Sequence, residues 1–235
     1  MSTSQFVAES IQSKEEIKSL VTVRPGHKDT EDKILDMIVP SGALLKGHFE
    51  LESKQHSSLL FRFNSVAGNR DYVECVADSL IADLKNDRVG VDVVLVQESA
   101  GRVLGETIAA KLGKRRVTVR TDEHNRPTMS LINETMLYRG DKVLVVSDLA
   151  TTGSGLTTMM EVVRQKKARP VAVALFAVRN RGEISTFELD QHIKVYALAD
   201  LALEQVTYGR RGIEPSVAEC ELCRAGKPRI ASWEI

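Results

Sequence analysis

The sequence lacks a long apolar run and an excess of charge of either sign. A helix needs about 20 consecutive apolar residues to span a bilayer, and no run approaches that length. Lysine and arginine together number 32, as do aspartate and glutamate, so the formal net charge is zero. We therefore expect no membrane span, and the overall charge gives no reason to expect binding to nucleic acid or to an anionic membrane.

An export signal and a disulfide framework are also missing. The N-terminal stretch MSTSQFVAESIQSKEEIKSL mixes charges of both signs and has no apolar core, so we expect no export. The three cysteines are Cys75, Cys220 and Cys223. An odd number of cysteines without a signal sequence favours the reducing cytoplasm. With no internal repeat and no low-complexity linker, the chain is predicted to form one α/β domain with an N-terminal elaboration.

Short apolar runs alternate with helical patterns after residue 70. A helical stripe is formed by Val73, Val76, Ala77, Leu80, Ile81 and Leu84. Predicted strands are DVVLV at 92–96, RVTVR at 116–120, VLVV at 143–146, VAVALFAV at 171–178 and IKVYAL at 193–198, with helices at 102–112 and 155–167. β-Branched runs separated by helices are typical of a parallel sheet covered on both faces.

The first 66 residues differ from this pattern. Residues 1–30 are polar and mixed in charge, and they suggest a helix followed by a loop through Pro25 and Gly26. A short helix is predicted after residue 31, followed by strands within GALLKGHFEL and SSLLFRF.

Two segments rich in small residues follow predicted strands and precede predicted helices. They are QESAGRVLG at 97–105 and SDLATTGSG at 147–155. In parallel α/β sheets ligands bind beyond the carboxyl ends of the strands. Small residues let backbone N–H groups approach an anion, and a helix N-terminus adds about half a positive charge. Hydroxyl groups of Thr151, Thr152 and Ser154 add donors, so the second loop suits a phosphate.

Asp148 lies at the start of the second loop, where a carboxylate would repel phosphate. It can instead accept hydrogen bonds from ribose hydroxyls, or help to hold a Mg²⁺ ion that the phosphates share. An acid beside a phosphate-binding loop indicates a sugar phosphate as ligand. The alternative is that the glycine-rich turn only ends a strand and that Asp148 caps the helix.

VLVVSDLATTGSG resembles the motif with which type I phosphoribosyltransferases bind 5-phosphoribosyl 1-pyrophosphate (PRPP). The similarity to orotate phosphoribosyltransferases, the longer members in particular, continues through five further segments in collinear order over residues 31–228. These are SGALLKGHFELESKQHSSLLF, DVVLVQESAGRVLGETIAAKLG, MLYRGDKVLVVSD, PVAVALFAVRNRG and ECELCRAGKP. The resemblance implies the type I phosphoribosyltransferase fold, a mostly parallel twisted sheet flanked by helices with a small N-terminal hood. The implied boundaries are 1–66 for the extension and hood, 67–210 for the core and 211–235 for the tail.

The resemblance also implies roles for individual residues. The 5′-phosphate would be bound by Thr151, Thr152, Gly153, Ser154 and Gly155, the ribose by Ser147 and Asp148, and the pyrophosphate by Glu98, Ser99, Ala100 and Gly101. The base would contact Lys54, Phe61, Thr151 and Arg179. Asp148 and Arg120 would be catalytic, with Asp148 at the Mg²⁺ ion. The reaction would be displacement at C1′ through an oxocarbenium-like state, in a homodimer whose residues 115–126 reach the partner's site.

Four departures from the family pattern keep other functions open. Ser147 replaces the first acid of the PRPP motif, and Gln97 to Ser99 replace a Pro-x-x-Gly loop. Thr121 stands where a lysine is common, and Lys54 lies one position early in the base-binding turn. The candidates are therefore an orotate-type phosphoribosyltransferase with PRPP and a nucleobase as substrates, a regulatory or binding module with reduced turnover, and an enzyme that cleaves the glycosidic bond of a nucleotide.

Three further features have structural alternatives. Cys220 and Cys223 have the spacing of half a zinc site, but the chain has no second cysteine pair, so we expect a tail turn with free thiols. We expect His48 and His56 to be structural. The basic run Lys114–Arg116 is expected to form the turn before a strand, with its charges in water.

Overall fold

A computed structural model of the chain describes residues 8–23, 28–51, 53–98, 101–123, 126–132, 137–179, 181–203 and 207–232. In chain order its elements are β1 (Glu9–Ser10), α1 (Lys14–Lys18), β2 (Val21–Val23), α2 (Lys28–Ser41), β3 (Leu44–Glu50), β4 (His56–Phe61), α3 (Phe63–Ala67), α4 (Arg70–Asn86), β5 (Val93–Gln97), α5 (Gly101–Leu112), β6 (Arg115–Thr121), β7 (Pro127–Leu131), β8 (Lys142–Ala150), α6 (Ser154–Gln165), β9 (Arg169–Val178), α7 (Arg181–Gln191), β10 (Val195–Leu201), β11 (Thr207–Tyr208), α8 (Glu221–Arg224) and β12 (Ile230–Ala231).

The larger sheet has seven strands in the order β2-β10-β9-β8-β5-β6-β7. Its five central strands are parallel, whereas β2 and β7 run antiparallel at the two edges. The predicted mostly parallel sheet is therefore confirmed, and every strand predicted after residue 70 lies in it.

Alternating residues of the central strands cover both faces of this sheet. Val94 and Val96 of β5 pack in one hydrophobic core with α4 and α5. Val93 and Leu95 pack in a second core with α6. All four side chains are fully buried, and each contributes about 1.5–3 kcal/mol relative to an exposed position. Two covered faces explain why these strands are continuous apolar runs and do not alternate with polar residues.

Helix α4 shows how the apolar stripe positions a helix. Asn69 precedes it, and its side-chain oxygen accepts hydrogen bonds from the backbone N–H groups of Asp71 and Tyr72. Such capping satisfies N–H groups that the first helical turn leaves free. The whole predicted stripe is buried: Val73, Val76, Ala77, Leu80, Ile81 and Leu84.

Within the described ranges, no helix combines the length and apolarity needed to cross a membrane.

A smaller sheet joins the two ends of the chain. Its strand order is β1-β3-β4-β11, and β12 pairs with β3. The hood strand β4 thus pairs with β11, and the hood strand β3 pairs with β12. Both β11 and β12 come from the C-terminal part of the chain. Conversely, strand β2 comes from the N-terminal segment but belongs to the larger sheet, where it pairs with β10. The boundaries at 66 and 210 stay predictions, but both sheets combine segments from either side of 66, and the smaller sheet also combines segments from either side of 210.

Some elements were not expected from the sequence. Strand β7 has no clear signal in the sequence, because four of its five side chains are exposed or half-buried and only Leu131 is buried. Helix α7 buries only Ile184 and Phe187, too few for a visible stripe. The helix predicted before residue 30 is found as the short α1, while the loop through Pro25 and Gly26 lies outside the described residues.

Candidate active site

The loop between β8 and α6 is shorter than the sequence suggested. We predicted that the strand ends at 146, but β8 continues to Ala150. Hydrogen bonding to β9 explains the extension, because Ser147, Leu149 and Ala150 are paired with residues of that strand. The loop itself is therefore Thr151–Gly153, and Ser147 and Asp148 belong to the carboxyl-terminal part of β8.

Gly153 makes the sharp turn into α6. It has a φ of +78°, in the left-handed region that favours glycine, and its carbonyl accepts the N–H of Thr157 at 2.8 Å. A Cβ on Gly153 would lie 2.6 Å from Cδ2 of Phe187. The backbone angle and the packing of α7 therefore both require glycine here. The turn places the N-terminus of α6 at the carboxyl edge, where it can attract an anion.

The hydroxyl groups of the loop also lie at this N-terminus. Thr152 Oγ1 accepts the N–H of Ser154 at 3.3 Å and donates to Ser154 Oγ at 3.2 Å. The side chains of Thr151 and Thr152 are half-buried, and Ser154 is exposed. The predicted phosphate-binding residues are thus gathered at one helix end, with backbone and hydroxyl donors together.

Gly101 places the start of α5 against the part of β8 that carries Ser147 and Asp148. It begins α5, and a Cβ at this position would lie 2.8 Å from the backbone nitrogen of Asp148 and 2.9 Å from Cα of Ser147. Only glycine allows the two backbones to approach so closely. The start of α5 therefore lies directly against Asp148.

Glu98 lies at the end of β5, beside β6. Its N–H donates to the carbonyl of Val119 at 3.0 Å, and its own carbonyl accepts the hydroxyl of Thr121 at 3.4 Å. The Glu98 side chain is exposed. Ser99 and Ala100 of the predicted pyrophosphate loop lie outside the described residues.

Asp148 is the acidic centre of the site. Ser147 is 4% exposed, and its hydroxyl donates to Oδ1 of Asp148 at 3.2 Å. Burial raises the pKa of the Asp148 carboxyl, against hydrogen bonds from its own N–H, that of Leu149 and the Ser147 hydroxyl. Asp148 is only half-buried as a residue, so solvent limits that rise. A carboxylate poorly solvated by water is well prepared to accept ribose hydroxyls or a cation.

Arg179 is the predicted base contact that lies beside the phosphate loop. Its N–H donates to the carbonyl of Ala150 at 2.8 Å, so it directly adjoins Thr151. Its guanidinium donates to Oγ1 of Thr207 at 3.0 Å, which links the end of β9 to β11 of the small sheet. Thr207 was missed by sequence reasoning because only the fold brings the C-terminal segment here.

The other two predicted base contacts have different surroundings. Phe61 is 7% exposed, and its ring stacks on Phe176 with centroids 5.5 Å apart. This ring belongs to the hydrophobic core, and little of it is open to a ligand. Lys54 lies in the turn after β3, has a left-handed φ of +66°, and pairs with Glu50 at 3.5 Å.

The basic residues expected to assist catalysis lie on β6 and the turn after it. Arg120 is exposed near the end of β6, and its carbonyl accepts the hydroxyl of Thr128 of β7. Arg116 forms an ion pair with Glu106, and Arg126 is also paired with an acid of this region. The run predicted as a turn is mostly strand: β6 begins at Arg115.

A second carboxylate at this edge was not singled out from the sequence. Asp200 of β10 is aligned with Val178 of β9. Its Oδ1 is buried and has no hydrogen-bond partner among the described residues. The signal that was available is its position: like Asp148, it lies near the carboxyl end of a parallel strand.

Two glycine-rich helix starts around an acidic strand end define a protein that binds a phosphorylated sugar. In agreement, residues 71–204 match the family model of the phosphoribosyl transferase domain. The chain belongs to this family, and its activity class is that of a pentosyltransferase using PRPP. The family and fold class inferred from the motif are thereby confirmed.

Similar proteins carry more specific names. The chain is 29% identical to the orotate phosphoribosyltransferase of Pelotomaculum thermopropionicum, over 86% of this chain and 96% of the relative. It is 30% identical to that of Caldicellulosiruptor bescii, over 85% and 95%. The crystal structure of the orotate phosphoribosyltransferase from Aeropyrum pernix matches with a TM-score of 0.58 at 21% identity, covering 71% of this chain and 92% of that one.

Proposed function

We propose that the protein transfers the phosphoribosyl group of PRPP to orotate, forming orotidine 5′-phosphate and pyrophosphate, in pyrimidine nucleotide synthesis. The observation that carries the proposal is the contact of Gly101 with the backbone of Ser147 and Asp148. In the proposed site, this contact places the loops for two anionic groups beside one carboxylate. PRPP requires such an arrangement, because its ribose carries a phosphate at one end and a pyrophosphate at the other.

In this arrangement the 5′-phosphate binds at Thr151–Gly155 and the pyrophosphate at the start of α5. Asp148 accepts hydrogen bonds from the ribose hydroxyls, which fixes C1′ between the two loops. Positioning of this kind supplies much of the rate, because the reacting atoms are held together at no further entropic cost. A carboxylate close to C1′ also stabilises positive charge developing on the ribose.

Mg²⁺ is the proposed cofactor. It usually binds one or two carboxylates together with substrate phosphates and water, and Asp148 with a bound pyrophosphate provides such a set. Bound Mg²⁺ would neutralise charge on the pyrophosphate. Because Ser147 supplies no second carboxylate, we expect the ion to depend strongly on PRPP for binding.

Orotate as the acceptor is supported by the names of the relatives and by Arg179. A guanidinium at the end of β9 can bind a carboxylate through two parallel hydrogen bonds, and orotate carries one. Thr207 accepts one guanidinium N–H already, which fixes the orientation of the group. The cytoplasm is the proposed compartment, supported by three cysteines that are free thiols.

The test is Mg²⁺-dependent release of pyrophosphate from PRPP in the presence of orotate, uracil, hypoxanthine, guanine or adenine. We expect turnover with orotate and little with the uncharged bases. Replacing Arg179 with lysine should raise the KM for orotate more than that for PRPP, since the paired hydrogen bonds are lost. Preference for a purine would contradict the proposed acceptor and leave the phosphoribosyltransferase class intact.

One observation favours a second candidate, a nucleotide-binding protein with low turnover. The hydroxyl of Ser147 donates to Asp148, where the family has a second acid, so one negative charge is absent from the ribose site. PRPP binding without pyrophosphate release for any base would support this candidate. Release of a base from a nucleotide without added PRPP would instead indicate glycosidic cleavage.

We also propose a homodimer in which Arg120 on β6 acts in the partner's site. The residue is exposed, and the neighbouring hairpin of β6 and β7 projects its polar residues into solvent. Light scattering should give twice the mass of the 26.0 kDa chain. In a mixture of Arg120→Ala and Asp148→Asn subunits, activity should exceed that of either variant alone. A monomer at assay concentration would contradict the proposal.

A further inference from the structure

We propose that His48, His56, Cys220 and Cys223 bind one zinc ion, which fixes the C-terminal tail to the small sheet. Nδ1 or Nε2 of each histidine and Sγ of each cysteine lie within 4.8 Å of one another. The sequence interpretation treated the cysteines as half a site and the histidines as structural. It missed the cluster because the two pairs are separated by more than 160 residues and meet only through β3, β4 and the tail.

Four of the six distances within the cluster are close to those of a tetrahedral zinc site, and the other two are no longer than 4.8 Å. His48 Nε2 lies 3.1 Å from His56 Nδ1 and 3.7 Å from each of the two sulfur atoms, and Cys223 Sγ lies 3.3 Å from His56 Nδ1. With Zn–N of about 2.0–2.1 Å and Zn–S of about 2.3 Å, a tetrahedron separates its ligand atoms by roughly 3.3–3.8 Å. Little movement would be needed to admit the ion.

The ring of His48 is held in the form that binds a metal. Its Nδ1 lies 2.8 Å from the carbonyl oxygen of Lys227. A carbonyl only accepts, so Nδ1 carries the proton and Nε2 presents a lone pair to the cluster. Backbone carbonyls commonly orient metal-binding histidines in this way.

His56 is held from its other side. Its Nε2 lies 3.3 Å from the guanidinium of Arg229, which pairs with Glu214 and, at 3.9 Å, with Glu50. Without a metal, His56 can donate to His48 and accept from Arg229. With zinc on Nδ1, its Nε2 carries a proton, and the two carboxylates beside Arg229 are the acceptors available to it.

Burial distinguishes this cluster from an ordinary surface group. His48, His56 and Cys220 are fully buried, and Cys223 is half-buried. Thiols that face imidazole nitrogens make only weak hydrogen bonds, whereas two thiolates and two imidazoles are a preferred zinc set. Four protein ligands leave no position for water, so the site is structural and not catalytic.

The ion would stabilise the part of the molecule that borders the base site. The Cys220–Cys223 segment lies between β11 and β12, which both pair with the hood strands. Before this segment in the chain, the N–H of Gly212 donates to the carbonyl of Ser53, and the side chain of Gln55 donates to the carbonyl of Gly209. These bonds hold the turn that carries Lys54. Zinc binding would therefore order that turn.

The test measures metal in the reduced, full-length protein. We expect one zinc per chain after purification or after reconstitution with zinc. Cobalt should replace it and give the intense visible absorption and thiolate charge-transfer bands of tetrahedral Co²⁺. Cys223→Ser should lose the metal and the charge-transfer intensity. Cys75→Ser, which removes the cysteine of α4 outside the cluster, should keep both.

A second measurement decides the matter if Cys223→Ser does not fold. Chelation of the parent protein should speed hydrogen exchange in residues 207–232, while β5 and β8 stay protected, because one face of both strands packs in a core that contains no residue of the small sheet. Failure of the reduced parent to bind zinc would overturn the proposal. So would a cobalt spectrum without thiolate bands, or full retention of metal by a folded Cys223→Ser protein.

Discussion

Gly153→Val should abolish measurable PRPP binding and leave the larger sheet folded. Valine at a φ of +78° adopts a left-handed backbone that costs an L-residue about 1–2 kcal/mol, and its branched side chain adds to that strain. The first added carbon would also lie 2.6 Å from the ring of Phe187. The turn must therefore move, and the N–H groups at the start of α6 lose their common direction.

The expected loss of PRPP affinity is roughly a hundredfold or more, since each 1.4 kcal/mol changes affinity about tenfold. Calorimetry with PRPP and Mg²⁺ measures it. Gly113→Val is the matched control, because Gly113, which follows α5, also has a left-handed φ, of +61°, and a Cβ there meets nothing within 4 Å. Circular dichroism confirms the fold of each variant. Unchanged affinity in Gly153→Val would show that the phosphate binds elsewhere.

The fold was largely predictable because the residue pattern of each central strand reflects how its two faces are covered. Strands covered on both faces, such as β5 and β8, are continuous apolar runs, and α4 has a six-residue apolar stripe. Strand β7 has neither signal, because an edge strand with mostly exposed side chains is formed by pairing with β6 and not by burial. The extension of β8 to Ala150 has the same cause, since hydrogen bonds to β9 hold it.

The candidate site was predictable where it consists of one loop. Thr151 to Gly155 are adjacent in sequence, and the structure gathers them at one helix end. The contact between Gly101 and Asp148 joins positions 47 residues apart, and the sequence showed two suitable loops but not their approach. Phe61 shows what the sequence did not indicate: its ring packs on Phe176 in the core, a contact between residues far apart in the chain.

Ser147→Asp tests whether the site of this protein lacks a charge that its reaction uses. A serine hydroxyl can bind a ribose oxygen, but it contributes no negative charge to an oxocarbenium-like state or to Mg²⁺. A hydrogen bond to a charged group is about twice as strong as a neutral one, and the difference is on the order of 1–3 kcal/mol. At about 1.4 kcal/mol per factor of ten in rate, we expect Ser147→Asp to raise kcat roughly ten- to hundredfold.

The structure adds a cost to this gain. Ser147 is buried and contacts Asp148, whose carboxyl already has a pKa raised by burial. A second carboxylate there would raise both values further by like-charge repulsion. Without ligand, Ser147→Asp should therefore be less stable than the parent, and its stability should fall as pH rises, because ionisation is disfavoured in the folded state. Mg²⁺ with PRPP should reverse this loss by neutralising the pair.

The pH dependence separates a catalytic charge from a mere change of shape. If the added carboxylate acts through its charge, the ratio of kcat in Ser147→Asp to kcat in the parent should increase with pH as the pair ionises. Ser147→Asn, similar in size but neutral, should show neither the gain nor that pH dependence. Assays with PRPP, Mg²⁺ and each base, at several pH values, measure all three proteins. A Ser147→Asp protein no faster than a parent already fully active on one base would mean that the hydroxyl of Ser147 and the carboxylate of Asp148 suffice for the reaction.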